Sequence, residues 1–423
     1  RLAVGVPRGH VRMSHSTHRH ASPPPVHTNH ATHTADPKEA LWALMVGNFV
    51  IGAGVMVVPG TLNDISHSLQ VSIPQAGFLI TAGAILMGLG APVLASVVAG
   101  WDRRRLLALT LIWYGALLAA CAAAPGYDAL LPLRVLAMLA PAIFTPQAAA
   151  SIGLMVSPEK RGKAITFVFL GWSVASVAGM PLGAWVGETW GWRWAFGGVA
   201  VLALLCAAWV WRAMPNGIRP AALSRQAWGR ALGSKPLMLA VGVTLLSAFG
   251  QFTLFSYFAP FFKQTLQADA QTLSLLFLWF GAFGLLGNLV LTRVIDRTGA
   301  ANAVLLALGL MVLSQLLWPL GNSVWTMAGV LVPWALGCFA SNSAQQARLV
   351  NLSPELAPGT IALNTSAMYG GQALGAALGG WMIAHDLMLQ LHWVSLMWLL
   401  CAMALSAWAQ QQAKKKNSKQ VNF

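Results

Sequence analysis

Charge is what this sequence has least of. Of its 423 residues, 9% are charged and 57% are hydrophobic, and the mean hydropathy is +0.63. Soluble domains carry nearer a quarter charged residues, so most of this chain is expected in lipid. Cysteine is almost as scarce. Cys121, Cys206, Cys338 and Cys401 are scattered with no CxxC and no Cys/His spacing, so neither a disulfide frame nor a zinc site is suggested. No metal and no cofactor is expected. The alternating ten-residue segments of a membrane barrel are missing. Outside the N-terminal tail the only histidines are His67, His385 and His392, all at loops or helix ends. An embedded enzyme needs clustered His, carboxylates or a nucleophile with a base in reach, so catalysis is not expected. All 11 Asp and Glu likewise sit in loops, tails or helix ends.

What the chain does have is apolar runs of about twenty residues, the length that spans a hydrocarbon core. Twelve spans are expected, at about 40–62, 73–99, 106–124, 128–156, 164–187, 195–213, 237–262, 271–292, 301–320, 323–350, 361–384 and 392–411. The fold class is therefore an all-α membrane protein of twelve transmembrane helices. The net charge of +15 is not a nucleic-acid signal, because of where the bases fall. Of 26 Lys and Arg, all but Arg134, Arg193 and Lys263 lie in the tails, on loops joining even to odd spans, or at helix ends facing them. By the positive-inside rule that asymmetry places both termini of this multi-pass protein in the cytoplasm.

The organisation reads as a polar His-rich tail (1–38), a six-helix half (39–213), a basic central loop (214–236), a second six-helix half (237–411) and a basic tail (412–423). The N-terminal tail holds His10, His15, His18, His20, His27, His30 and His33, read either as weak metal capture or as a disordered segment; Met13 is an alternative start. The central loop carries Pro215, Pro220, Arg219, Arg225, Arg230 and Lys235, and the last tail carries Lys414, Lys415 and Lys416.

The most informative stretch is SPEKRGKAITFVFLGWSVASVAGMPLGAWVG, residues 157–187. Gly171, Ala175, Gly179, Gly183 and Gly187 recur every fourth place, giving one helix face a bare stripe where another backbone can approach. Pro181 sits in it and should bend the helix. The pattern returns from Ser353, an offset of 196, where Ala367, Gly371, Gly375 and Gly379 repeat the stripe. The turn AGWDRRRLL is echoed by TRVIDRTGA, so Asp102–Arg103 has a counterpart in Asp296–Arg297. Carboxylate and guanidinium so placed are expected to pair with facing helix ends and latch one side. Arg134 lies within span 4, where a mid-bilayer Arg costs about 2.5–3.5 kcal/mol, so it should face a wet cavity or an acid, or snorkel outward.

Two six-helix halves, a basic loop and duplicated turns together resemble the major facilitator superfamily. Within it the chain is similar to the twelve-helix drug/proton antiporter branch, particularly its arabinose-efflux-like members, over about residues 40–411. GMPLG around Pro181 resembles the branch's antiporter motif; GWRWAF with Arg193, SPEKRG and the DRTG turn also look like it. Ala99 stands where the first-turn motif has Asp, Asp102 where it has Gly, and Ala137 and Met138 where span 4 has Gln and Gly. Span 1 has no embedded acid.

The resemblance implies that spans 1, 4, 7 and 10 line a central cavity. Their candidate substrate residues are Asn48, Gln147, Gln251, Tyr257, Asn342, Gln345 and Gln346, with Asn364 and Tyr369 from span 11. Taken singly, each is as consistent with an interhelical bond as with substrate contact. It also implies that spans 2, 5, 8 and 11 form the seam between the halves. The stripes at Gly171, Ala175, Gly179, Pro181 and Gly183, and at Gly371, Gly375 and Gly379, are expected in that seam, letting the halves rock. The expected function is export of a drug, sugar or metabolite by alternating access, driven by protons, with Asp64 coupled to Arg134. The alternative is a proton-independent facilitator. A small-molecule substrate, protons and lipid are the expected partners, in a monomer without nucleic acid.

Overall fold

A computed structural model describes residue 5 and residues 37–219, 225–353 and 356–421. The seven tail histidines, Pro220 and the side chains of Asp296, Lys414, Lys415 and Lys416 lie outside the described residues. The chain divides into two units, Arg1–Thr34 and Ala35–Phe423, and every described helix belongs to the second.

Helices make up the ordered backbone. The first half comprises α1 (Pro37–Leu69), α2 (Ile73–Val97), α3 (Arg103–Ala122), α4 (Tyr127–Ala137), α5 (Leu139–Met155), α6 (Pro158–Val174), a π turn (Ala175–Gly179), α7 (Met180–Trp190) and α8 (Trp192–Ala213). After a short α9 (Arg225–Gly233), the second half comprises α10 (Lys235–Phe255), α11 (Phe258–Leu266), α12 (Ala270–Thr298), α13 (Ala300–Leu317), α14 (Val324–Leu352), α15 (Ala357–Ala384) and α16 (Leu391–Val421). Span 4 is α4 with α5, span 5 is α6 with α7, and span 7 is α10 with α11.

Among the described residues 11 runs are long and apolar enough to cross a membrane. The twelfth, α15, has the length at 28 residues, but its Gly, Asn, Gln and Tyr dilute its hydropathy. Large apolar side chains point outward, among them Leu89, Val97, Leu205 and Trp325. A surface that apolar suits lipid rather than water. The chain is a multi-pass membrane protein. An even number of crossings leaves both ends of the described chain, Pro37 and Val421, on one side, termed the tail end; the opposite side is the far end.

In the first half α1 packs on α6, α7 and α8, and α3 packs on α8; in the second, α10 packs on α15 and α16, and α12 and α13 pack on α14. The halves meet where α2 lies along α15 and where α12 lies along α7 and the π turn. Spans 5 and 8, and spans 11 and 2, are thus paired across the seam as expected.

The stripes themselves are not in that seam. Each stripe glycine meets the residue 126 places before it: Gly171 meets Met45, Gly179 meets Ala53, Gly183 meets Val57 and Gly187 meets Thr61, all on α1. Gly371, Gly375 and Gly379 meet Leu245, Phe249 and Thr253 on α10 in the same way. Ala175 likewise faces Gly52 of α1. The stripe glycines and Ala175 therefore cement helices within each half, which corrects the expectation that they face the other half; of the residues expected in the seam, Pro181 does meet it, its carbonyl accepting from Ser274 of α12. The duplication is real, since one spacing serves both copies.

The π turn explains how one segment serves two neighbours. Residues four apart on a straight α-helix drift by about 40° per step, so a long stripe would wander off its partner. A wider π turn absorbs part of that drift. Pro181 supplies the cause, because it has no N–H to bond the Val177 carbonyl four residues back. The loosened turn then bears on α12, where a Cβ on Gly281 would lie 2.5 Å from the Val177 Cα and 2.7 Å from the Ser176 carbonyl oxygen. The bend expected at Pro181 is this π turn.

Candidate functional site

At mid-depth each half carries a polar cross-link of matching design. In the first, the Trp172 indole donates to the Thr145 hydroxyl at 3.1 Å, which donates to the Asn48 side-chain oxygen at 2.8 Å. The Asn48 amide donates to the Val168 carbonyl at 3.3 Å, tying α1 to α5 and α6. In the second, the Thr244 hydroxyl donates to the Asn364 oxygen at 2.5 Å. The Gln345 amide donates to Thr244 at 3.1 Å and to the Ala240 carbonyl at 2.7 Å, while the Asn364 amide donates to Asn342 at 3.3 Å. Asn48–Val168 and Thr244–Asn364 share a separation of 120 residues. Such interhelical bonds contribute about 0.6 kcal/mol each in a membrane.

The candidate lining residues thus fall into two sets. Asn48, Asn364 and the amide of Gln345 are engaged in these cross-links. The Gln345 side-chain oxygen is buried without a bond partner, and Gln251 accepts from the Cys338 thiol at 3.0 Å. Gln147 and Tyr369 are buried, and Asn342 and Gln346 are half-buried. Tyr257 leaves the mid-depth group: its hydroxyl donates to the Ala376 carbonyl at 2.7 Å, and its ring fills the space that the bare Gly77, Gly379 and Gly380 leave. It is a plug between α2, α11 and α15.

Arg134 is 2% exposed, and among the described residues no carboxylate pairs with it. Its guanidinium donates to the Gly54 carbonyl at 2.8 Å and the Val55 carbonyl at 3.3 Å. Pro59 makes that possible: lacking an N–H, it leaves the Val55 carbonyl without its helical donor. Tyr114 lies alongside, and the Phe196 ring centroid is 5.8 Å from the guanidinium carbon. Gly54 must be bare, because a Cβ there would strike the Tyr114 hydroxyl.

Asp64 is elsewhere, so the expected Asp64–Arg134 couple is corrected. Its carboxylate accepts from the Trp192 backbone N–H, capping α8 from a different helix. Its charged neighbours are Glu188, Lys263 and His67. Glu188 of α7 and Lys263 of α11 form an ion pair across the seam, at 2.6 Å. Beside it the Ser274 hydroxyl of α12 donates to the Pro181 carbonyl at 3.2 Å. These two contacts between the halves lie toward the far end.

At the tail end Asp102 and Arg103 work within the first half. Asp102 caps α3 through the Arg105 N–H at 3.2 Å and accepts from the Gly217 N–H at 2.6 Å. Arg103 is 2% exposed and donates to the Val98 and Trp101 carbonyls at 2.9 Å and to Ala99 at 3.2 Å, closing the end of α2. The pair binds α2, α3 and the loop after α8 together instead of latching onto the other half, which corrects that expectation. Arg297 is exposed.

The model of the Major Facilitator Superfamily matches residues 44–360 and again 240–420. The chain belongs to that superfamily. The Escherichia coli (strain K12) inner membrane transport protein YdhP is 29% identical over 351 residues, covering 82% of this chain and 89% of that protein. A probable sugar efflux transporter of Helicobacter pylori (strain G27) is 28% identical over 346 residues, covering 80% and 86%. Among solved structures, a D-xylose-proton symporter superposes with a TM-score of 0.71 at 15% identity, covering 87% of this chain and 97% of that one. The structural likeness speaks for the fold; the sequence likeness is to efflux-type major facilitators. The superfamily consists of transporters, not enzymes.

Sequence reasoning missed the Glu188–Lys263 pair. The signal was there: Lys263 and Arg193 are the only bases on the far-side loops, and a scarce charge on an apolar bundle seeks a partner.

Proposed function

We propose that this major facilitator exports a small molecule, a drug, sugar or metabolite, across a bacterial inner membrane by alternating access coupled to protons. In this reading the chain is a monomer with both termini in the cytoplasm, and the tail end faces the cytoplasm. The observation that carries it is the Glu188–Lys263 bridge, a breakable ion pair between the halves at the far end. Protonating Glu188 would free Lys263 and let the halves part outside, and Asp64 beside them is the second acid of that cluster. Entry of one proton down a gradient is worth about 2.3 kcal/mol per 100 mV, sufficient for modest uphill export. The names of the relatives, an inner membrane transport protein and a probable sugar efflux transporter, favour this direction and location. Gln147, Gln251, Asn342, Gln346 and Tyr369 are the proposed substrate-facing set.

A facilitator without proton coupling is the second reading. It is favoured by the neutral character of the polar groups at mid-depth. Inverted vesicles loaded against a panel of toxic compounds and sugars separate the two. Uphill uptake that an uncoupler abolishes, and that Glu188→Gln reduces at least tenfold, supports the antiporter. Flux that only runs downhill and ignores the uncoupler identifies the facilitator.

A further inference from the structure

A third buried cation, after Arg103 and Arg134, sits near the tail end of the second half. Arg348, near the tail end of α14, is 6% exposed, and its guanidinium donates only to the Ser406 hydroxyl at 3.0 Å and the Ser406 carbonyl at 3.4 Å. Both partners are neutral. A guanidinium offers five N–H donors and a permanent charge, so two bonds to one serine leave most of its capacity unused. Among the described residues no carboxylate pairs with it.

Arg348 borders a cavity of about 380 Å³, which also meets Asn351, Pro236 of α10 and Gln410 of α16. The first turn of α13, Ala300 to Asn302, forms another wall. That 18-residue helix begins after Gly299 without a side-chain cap from its N-cap residue, and its first turn borders the cavity. Gln410 donates to Asn302 at 2.8 Å and braces the rim. A buried cation and the positive end of a helix dipole thus border one concave space.

We propose that this cavity, an open pocket bordered by α10, α13, α14 and α16 within the second half, is a binding site for a phosphate-class anion. Two sources share that chemistry: the headgroup of an anionic phospholipid, and a soluble phosphate. The anion bridges Arg348 to the N-terminus of α13 and clamps α13 to α14. The site is separate from any substrate path through the mid-depth polar groups, so it acts on the stability of the second half and not on cargo recognition.

The test is thermal melting of the purified full chain, with readouts independent of transport. One arm uses nanodiscs of phosphatidylcholine alone against discs containing phosphatidylglycerol. The other adds inorganic phosphate to detergent-solubilised protein, with equal ionic strength of chloride as control. A specific rise of about 2–4 °C is expected in one arm, and that arm names the source. Arg348→Gln should remove the shift, whereas Arg212→Gln should keep it. Ala301→Asp puts a carboxylate in the cavity; it should raise the melting temperature without ligand and flatten the response to the active probe. No shift in either arm, or a shift that survives both Arg348→Gln and Ala301→Asp, overturns the proposal.

Discussion

The two small-residue helices, α6–α7 and α15, are copies that kept one neighbour and diverged toward the other. Both press a bare face on the first helix of their own half, at the same 126-residue separation. Toward the opposite half they differ. The first copy offers a π turn and Pro181 to α12, whereas α15 runs unbroken along α2, where Gly88 approaches the Gly370 amide and Ser366 carbonyl. Close packing inside a half is therefore what the two copies share, and the seam is where they differ.

The largest effect should come from filling the shared contact. A Cβ on Gly171 would strike the Met45 carbonyl and one on Gly371 the Leu245 carbonyl, both backbone atoms that cannot move aside. Gly171→Leu and Gly371→Leu should each abolish monodisperse, folded protein on size-exclusion chromatography. If one copy tolerates Leu and the other does not, the equivalence of the halves fails. Gly183→Ala is the internal control: its Cβ would sit at 3.7 Å from Val57, ordinary contact, so folding should be unchanged. Gly179, whose Cβ would meet Ala53 at 3.0 Å, should accept Ala with a small loss but lose folded yield as Leu.

Next comes the seam. Gly281→Val pushes on the backbone of the π turn, so it should lower transport in vesicles at least tenfold while leaving folded yield within twofold. Equal losses of both would mean that α12 and the π turn are bound as permanently as α1 and α6.

Smaller still is the far-end ion pair. Half-exposed pairs of this kind are worth about 0.2–1 kcal/mol, so Lys263→Gln should shift melting by no more than a degree or two. It should nevertheless raise thiol labelling of a cysteine introduced at Ser274, and the swap Glu188→Lys with Lys263→Glu should restore protection. Labelling that ignores both changes would remove the latch from the mechanism.

The smallest effect contrasts two caps. Ser72 accepts from the Gln75 N–H ahead of α2, and Asp269 accepts from the Thr272 N–H at 2.8 Å ahead of α12. Hydrogen bonds from the Thr272 side chain and amide hold the Asp269 carboxyl below its usual range. Its folded value is depressed, so this cap is fully present above about pH 4 and weakens as pH falls through that lower value. Asp269→Asn should keep the cap and flatten that acid limb in a melting-versus-pH series; Ser72→Ala should have no pH-dependent component.

Most of the fold could be read directly from residues, because lipid forces the issue. Charge scarcity, run length and the placement of Arg and Lys leave few alternatives to a helical bundle, and an offset of 196 betrays the duplication. The partner of each helix face was less legible. A stripe of glycines says that a backbone comes close but not whose, and α1 and α12 both qualify for α6–α7. The site was least legible of all. Arg134 was expected to face a wet cavity or an acid, or to snorkel, yet it donates to the Gly54 carbonyl and to the Val55 carbonyl that Pro59 had freed, bonds visible only when α1 and α4 are side by side. Asp64 was expected to couple to Arg134 by its position at the end of span 1, and it caps α8 instead.

The 126-residue interval also sets a schedule. A ribosome adding about 5–20 residues per second needs roughly 6–25 seconds to get from Met45 to Gly171, and as long again from Leu245 to Gly371. Throughout each wait the first helix of a half stands in the membrane with its groove open to lipid or to a chaperone. The fifth span of that half then arrives and closes it. Each half is accordingly expected to mature in its own burst, the first while the second is still being made, and a stall placed between Met155 and Gly171 should trap an open five-part intermediate that protease can enter.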